Sequence, residues 1–153
     1  MKKFIVLVIV LCAVMVSSPV SATNWNSICK DVDGNEYFID VSSISSNIKE
    51  DELYLSVLVR IVYSEFGRAS MTTRRLPPEL INFASYEMNR MLFKLKKDKV
   101  SVRYEGGAIY AYDGTILKTN PHTHSFIEVK EGNVYDSIFI AALAYIVSNS
   151  QGG

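Results

Sequence analysis

Two histidines, three aspartates, one cysteine and a group of tyrosines are the side chains here whose types and spacing could do chemistry. His122 and His124 flank a single threonine, so on an extended segment both imidazoles point the same way. With Glu128 as a third ligand they could hold a transition metal. The spacing matches no specific zinc motif, and the pair reads as solvent-exposed loop histidines ahead of a metal site. Asp33, Asp40 and Asp113 would suit calcium or paired-acid chemistry. Asp33 and Asp113 each precede a glycine, where aspartate is expected for turn-forming reasons alone. Cys29 would need a base and an orienting group to act as a nucleophile, and no fixed spacing ties it to the histidines. No phosphate loop, nucleophile elbow or zinc-protease motif is present. The sequence points away from an enzyme and implies neither cofactor nor metal.

The aromatic content points elsewhere. Nine tyrosines exceed what a minimal core needs, and Tyr104, Tyr110 and Tyr112 share one strand parity. Gly106-Gly107 interrupts the strand after Tyr104 as a bulge or a tight turn and is able to shift that register. Cross-strand packing explains such tyrosines. A protein-binding face explains them too, because tyrosine supplies large contact area at low entropy cost. Arg74 and Arg75 beside them in space would complete such a face.

The chain that must position these residues begins with an export signal. Lys2 and Lys3 precede an apolar run from Phe4 to Val16, and Val20-Ser21-Ala22 offers small residues for a signal peptidase. The run is too short for a membrane span of about 20 apolar residues. Cys12 follows Leu11, which does not suit a lipoprotein peptidase. The expected mature protein therefore starts near Thr23 and works in the periplasm, on the cell surface or outside the cell. Nothing beyond residue 22 reads as a stable membrane span. The full chain has 16 Lys plus Arg and 16 Asp plus Glu. Loss of Lys2 and Lys3 leaves 14 against 16, a net charge of −2. That balance argues against a nucleic-acid partner, which needs a basic surface. Only Cys29 remains after cleavage, so an internal disulfide is excluded. A small apolar role on a core-facing strand and an intermolecular disulfide both stay open.

Residues 23–149 read as one domain, with 150–153 as a flexible tail, and Ser148 already grouped with that tail. Trp25 to Cys29 and Glu36 to Val41 form a hairpin around Asp33-Gly34. Ser42 to Asn47 reads as a polar turn pinned by Ile44. Leu53 to Tyr63 is the strongest strand, with Leu55, Val57, Val59 and Ile61 on one face. Ala69 to Leu76 is its expected antiparallel partner, ended by Pro77-Pro78. Residues 79–97 fit a strand and a helix equally, and Lys94 to Lys99 reads as a charged turn. Val100 to Tyr104 and Ala108 to Tyr112 are strands on either side of the glycine pair. Asp113-Gly114 turns the chain, Thr115 to Lys118 returns, and Asn120-Pro121 breaks it. Phe126 to Val129 is a last short strand. Val134 onward is a largely apolar helix, capped by Asn133 with Asp136 as its capping-box partner. The fold class expected is α+β: a single antiparallel β-sheet with a C-terminal helix packed against it.

These motifs taken in order resemble a known family. Trp25-x-x-Ile28, Asp33-Gly34, Tyr37-Phe38-Ile39-Asp40 and Ser42-Ser43-Ile44 come first. Tyr112-Asp113-Gly114, Phe126-Ile127-Glu128-Val129, Gly132-Asn133 and the terminal helix follow. The pattern is similar to the surface-adhesin protein E family of small exported bacterial proteins. That resemblance implies an antiparallel sheet with a packed helix, a capacity to form a homodimer, and, for the family's named member, adhesion to host matrix proteins. Many of those relatives carry a cysteine pair, which this chain lacks. The function expected is an exported, non-enzymatic protein-binding domain, an adhesin or an envelope-associated factor. Its candidate face is Tyr104, Tyr110, Tyr112, Arg74 and Arg75. The rival expectation is a periplasmic small-molecule or lipid-binding protein.

Overall fold

The computed structural model describes residues 23–71 and 75–150. The expected signal at 1–22, Arg74 and residues 151–153 of the expected tail lie outside the described residues. The elements in chain order are β1 (Trp25–Lys30), β2 (Glu36–Lys49), β3 (Glu52–Val62), α1 (Glu65–Ala69), α2 (Pro78–Ile81), β4 (Ala84–Lys96), β5 (Lys99–Ala111), β6 (Ile116–His122), β7 (Ile127–Glu128) and α3 (Val134–Ser150).

Neighbouring strands in sequence are neighbours in space. Strands β1 to β6 pair in order and antiparallel, and β7 adds to the outer edge of β5 beside β6. The result is one antiparallel sheet of seven strands with α3 packed on it. Short turns explain the simple order. Gly34 and Gly114 take the positive φ that the two Asp-Gly hairpins require. The other two hairpins contain no glycine. Glu50 and Asp51 both adopt positive φ between β2 and β3, and Lys97 does so between β4 and β5.

Alternation in β3 sorts the two sides of the sheet. Leu55, Val57, Val59 and Ile61 are buried, while Tyr54, Ser56, Leu58, Arg60 and Val62 are half-exposed. Strand β4 repeats this, with Met91 and Phe93 buried between half-exposed Arg90, Leu92 and Lys94. The buried side meets α3, whose Ile138, Phe139 and Ala142 complete the core. Phe139 contacts Phe93 at 5.7 Å between ring centroids. Asn133 caps the helix as the sequence predicts. Its Oδ1 accepts from the Asp136 amide at 2.9 Å, and Asp136 accepts from the Gly132 amide at 2.8 Å.

Several expectations are corrected. Ser42 to Asn47 is not a turn but part of β2. The strand carries three extra residues opposite β3 between Asp40 and Ser45, and its polar composition hid it. The buried Asp40 carboxylate holds this irregular stretch by accepting from the Asn24 and Ser42 amides and the Ser42 hydroxyl. The Ala69–Leu76 strand does not form. Residues 65–69 are helical, the described residues that follow are irregular, and β4 is the partner of β3. The ambiguous segment resolves into a one-turn helix begun by Pro78, then a long strand. The charged turn shrinks to Lys97-Asp98, because Lys94 and Lys96 remain in β4. Asn120-Pro121 does not break β6. As an edge strand it tolerates a proline without an N–H. Ser148 to Ser150 continue α3 instead of starting a tail. Cys29 is only partly buried, beside Ser137, and its thiol is pushed up chiefly by burial and then by Asp31.

Candidate functional site

The sequence candidates fall on different parts of the sheet. Opposite β4, the stretch Tyr104–Gly107 carries one more residue than Asn89–Met91, so the glycine pair does form a bulge. The bulge reverses parity. Tyr104 pairs with Met91 and lies on the helix-bearing side, whereas Tyr110 pairs with Tyr86 on the open side. Tyr112 stands 71% exposed beyond the end of β5, with its hydroxyl accepting from Arg68 at 3.0 Å. Arg75 joins Tyr104, and Arg74 lies outside the described residues. The single Tyr/Arg face is thus divided into two sites.

The first site is a cleft of about 330 Å³ on the helix-bearing side, lined by Tyr37, Ile61, Arg75, Glu87, Tyr104, Asn120, Pro121, Thr123 and Tyr135. Its floor is polar because β4 places Glu87 and Asn89, both buried, in line with Met91 and Phe93. Glu87 Oε2 accepts from Arg75 at 2.6 Å and from the Tyr63 hydroxyl. Glu87 Oε1 accepts from Asn89 at 2.6 Å and Asn120 at 2.7 Å. A buried carboxylate persists only when paired and hydrogen-bonded in this way. Gly107 is part of the device. A Cβ there would strike the Met88 carbonyl oxygen and Asn89 Oδ1.

Tyrosine hydroxyls gather above this floor. Tyr104 and Tyr135 share a hydrogen bond at 2.7 Å with their rings edge-on, and Tyr37 donates to Asp31 at 3.0 Å. Burial pushes the Tyr63 phenol far up, with the Glu87 charge adding to it. Tyr104 is raised by burial and then by Tyr135, and Tyr37 by burial and then by Asp31. All three remain neutral donors at physiological pH. Burial is the largest single effect on Arg75 and works against its charge, but Glu87, Tyr63 and Tyr104 together more than offset it and keep the guanidinium charged.

The second site is the open side of the sheet. Tyr86 and Tyr110 stack at 4.9 Å, and the Arg60 guanidinium sits 4.6 Å above Tyr86. Phe126 lies edge-on to Tyr54, with Lys94 at 4.8 Å and Arg103 at 4.9 Å from its ring. Arg60 Nε and Arg103 Nε are buried without a hydrogen-bond partner. Beside them Ser45, Asn47, Lys49, Tyr54, Ser56 and Arg103 line a shallow hollow of about 430 Å³.

The histidine rings stand 5.1 Å apart, and among the described residues no three His, Cys, Asp or Glu side chains come together to hold a metal. No protein-family model matches the chain, and neither a curated protein nor a solved structure does.

Sequence reading missed Glu87, Asn89 and Asn120. Their signal was available once residues 84–96 are taken as a strand. Parity then puts a carboxylate and an amide at two positions of a core-facing row, which signals a built polar site.

Proposed function

We propose that this chain is an exported, non-enzymatic protein-binding domain, an adhesin or envelope-associated factor, and that the open side of its sheet is the binding face. The observation that carries the reading is Arg60 seated on the Tyr86–Tyr110 stack with its Nε unpaired. Tyrosine and arginine on a broad, half-exposed surface are the residues that dominate protein interfaces. The charges on this side name the partner. Arg60, Arg90, Lys94 and Arg103 project from it, and among the described residues Arg103 alone of these pairs with a carboxylate, Glu105 at 3.2 Å. The occupant is an acidic segment of another protein.

Export rests on the N-terminal sequence, and likeness to the surface-adhesin protein E family rests on the order of its motifs. The rival reading, a periplasmic small-molecule or lipid carrier, draws on the cleft of the opposite side. That cleft sets phenols, one amide and an ion pair beside an apolar wall of Ile61 and Pro121, more fixed polar groups than a lipid chain needs.

Immobilised poly-glutamate peptide tests the reading, with poly-lysine as the control. The wild-type protein is expected to bind poly-glutamate and to lose binding as salt rises. Arg60→Glu with Arg90→Glu should abolish the interaction while the circular dichroism spectrum stays unchanged. Equal retention on both polymers, or full binding by the double variant, would overturn it.

A further inference from the structure

In the cleft, Arg75 is the charged group with hydrogen-bonding capacity left over. One Nη2–H bond goes to Glu87, and Nε and Nη1 make no further hydrogen bond to the described residues. Its side chain is 48% exposed. The carboxylates around it have no such capacity. Glu87 already accepts four hydrogen bonds. Asp31 also accepts four: from the Asp33 and Asn35 amides at 3.0 and 2.9 Å, from Asn35 Nδ2 at 2.9 Å and from Tyr37 at 3.0 Å. Glu87 holds the guanidinium through Nη2 alone, and among the described residues no other carboxylate pairs with it.

The phenols add a second donor. The Tyr104–Tyr135 hydrogen bond uses one of two hydroxyl protons and leaves the other to point elsewhere. Ile61 and Pro121 supply an apolar wall. The volume, about 330 Å³, reaches the range of small-molecule sites, roughly 300–1,000 Å³. Guanidinium donors beside a neutral phenol form a recognition set for an oxyanion with a flat, two-oxygen head.

We propose that this cleft binds a carboxylate, from a small organic acid or from the C-terminus of a peptide, with Arg75 and the Tyr104–Tyr135 pair as its donors. The proposal does not depend on the open face, which lies on the other side of the sheet.

Nuclear magnetic resonance titration of the purified protein tests it. The probes are benzoate and an acetylated dipeptide with a free C-terminus, each paired with its neutral amide. Saturable shifts of the Tyr104 and Tyr135 ring resonances are expected for the carboxylates and not for the amides. Stronger binding by benzoate assigns the site to organic acids, and stronger binding by the dipeptide to chain ends. Arg75→Lys keeps a cation opposite Glu87 but removes the planar fork, and should weaken binding about tenfold. Tyr135→Phe should weaken it several-fold without disturbing that ion pair. Absence of saturable shifts, equal response to the amides, or unchanged affinity in both variants would overturn the proposal. Shifts confined to Tyr54 and Tyr110 would also sink it, while leaving the open-face reading intact.

Discussion

Arg75 Nη2 lies 2.6 Å from Glu87 Oε2, and the two partners differ sharply in exposure: the Glu87 side chain is 2% exposed and that of Arg75 48%. The pair is therefore a buried carboxylate reached from the surface. Its two ends should respond differently to removal.

Glu87→Ala strips the acceptor from Arg75, Tyr63, Asn89 and Asn120 together, so a loss of about 3–5 kcal/mol is expected. Arg75→Ala leaves Glu87 three donors and an opening to water, so its loss should be smaller. Urea unfolding of the two variants measures the order. A larger loss for Arg75→Ala would contradict the description of this network.

Stability should fall in alkali. The folded-state pKa values of Tyr63 and Tyr104 are raised, mainly by burial, while an unfolded tyrosine titrates near about 10. Their contribution is complete below that value. It is lost as pH rises above it, because the unfolded chain then binds fewer protons. Each group adds a slope of about −1.4 kcal/mol per pH unit once its unfolded form is ionised. Tyr37, raised in the same direction but more exposed, adds less. Unfolding free energies measured on both sides of pH 10 check this (about the unfolded tyrosine value), and a flat profile would disagree.

Gly107→Ala forces a methyl group against the Met88 carbonyl and Asn89 Oδ1. Backbone cannot yield cheaply, so a loss of about 1–3 kcal/mol or more is expected. Gly114→Ala, where a Cβ would meet nothing within 4 Å but the φ is +84°, should cost less, about 1 kcal/mol. Thermal unfolding of the two proteins ranks them.

At the start of α3, Asn133→Ala removes the acceptor of the Asp136 amide and should cost about 1 kcal/mol. Asn133→Ser should recover most of it. Failure of serine to rescue would mean that Asn133 acts through packing and not as a cap.

Local chemistry made part of this structure legible in the sequence. The two Asp-Gly hairpins, the alternation of Leu53 to Tyr63, the bulge at Gly106-Gly107 and the Asn133 cap each have a short-range cause. The packing of the terminal helix on an antiparallel sheet followed from its apolar surface. What stayed hidden has long-range causes. Residues 42–47 are polar, and they join β2 because β3 offers them partners and Asp40 ties their amides. The Glu50-Asp51 and Lys97-Asp98 turns lack the glycine that announces such turns, and the pairing of long flanking strands imposes them. Tyr104 and Tyr110 were separated by the bulge, a one-residue change that moves a side chain to the other side of the sheet. The Arg75–Glu87 network brings together the β3–α1 connection, β4, β6 and the α1–α2 connection, and no spacing in the sequence encodes that meeting.

The most direct test of the proposed function maps where an acidic partner lands. Backbone amide shifts recorded during titration with poly-glutamate peptide would supply the map. Changes centred on Arg60, Tyr86, Arg90, Lys94 and Tyr110 are predicted, fading as salt is raised. Changes centred on α3 or on the Arg75 cleft, with the open side unmoved, would contradict it.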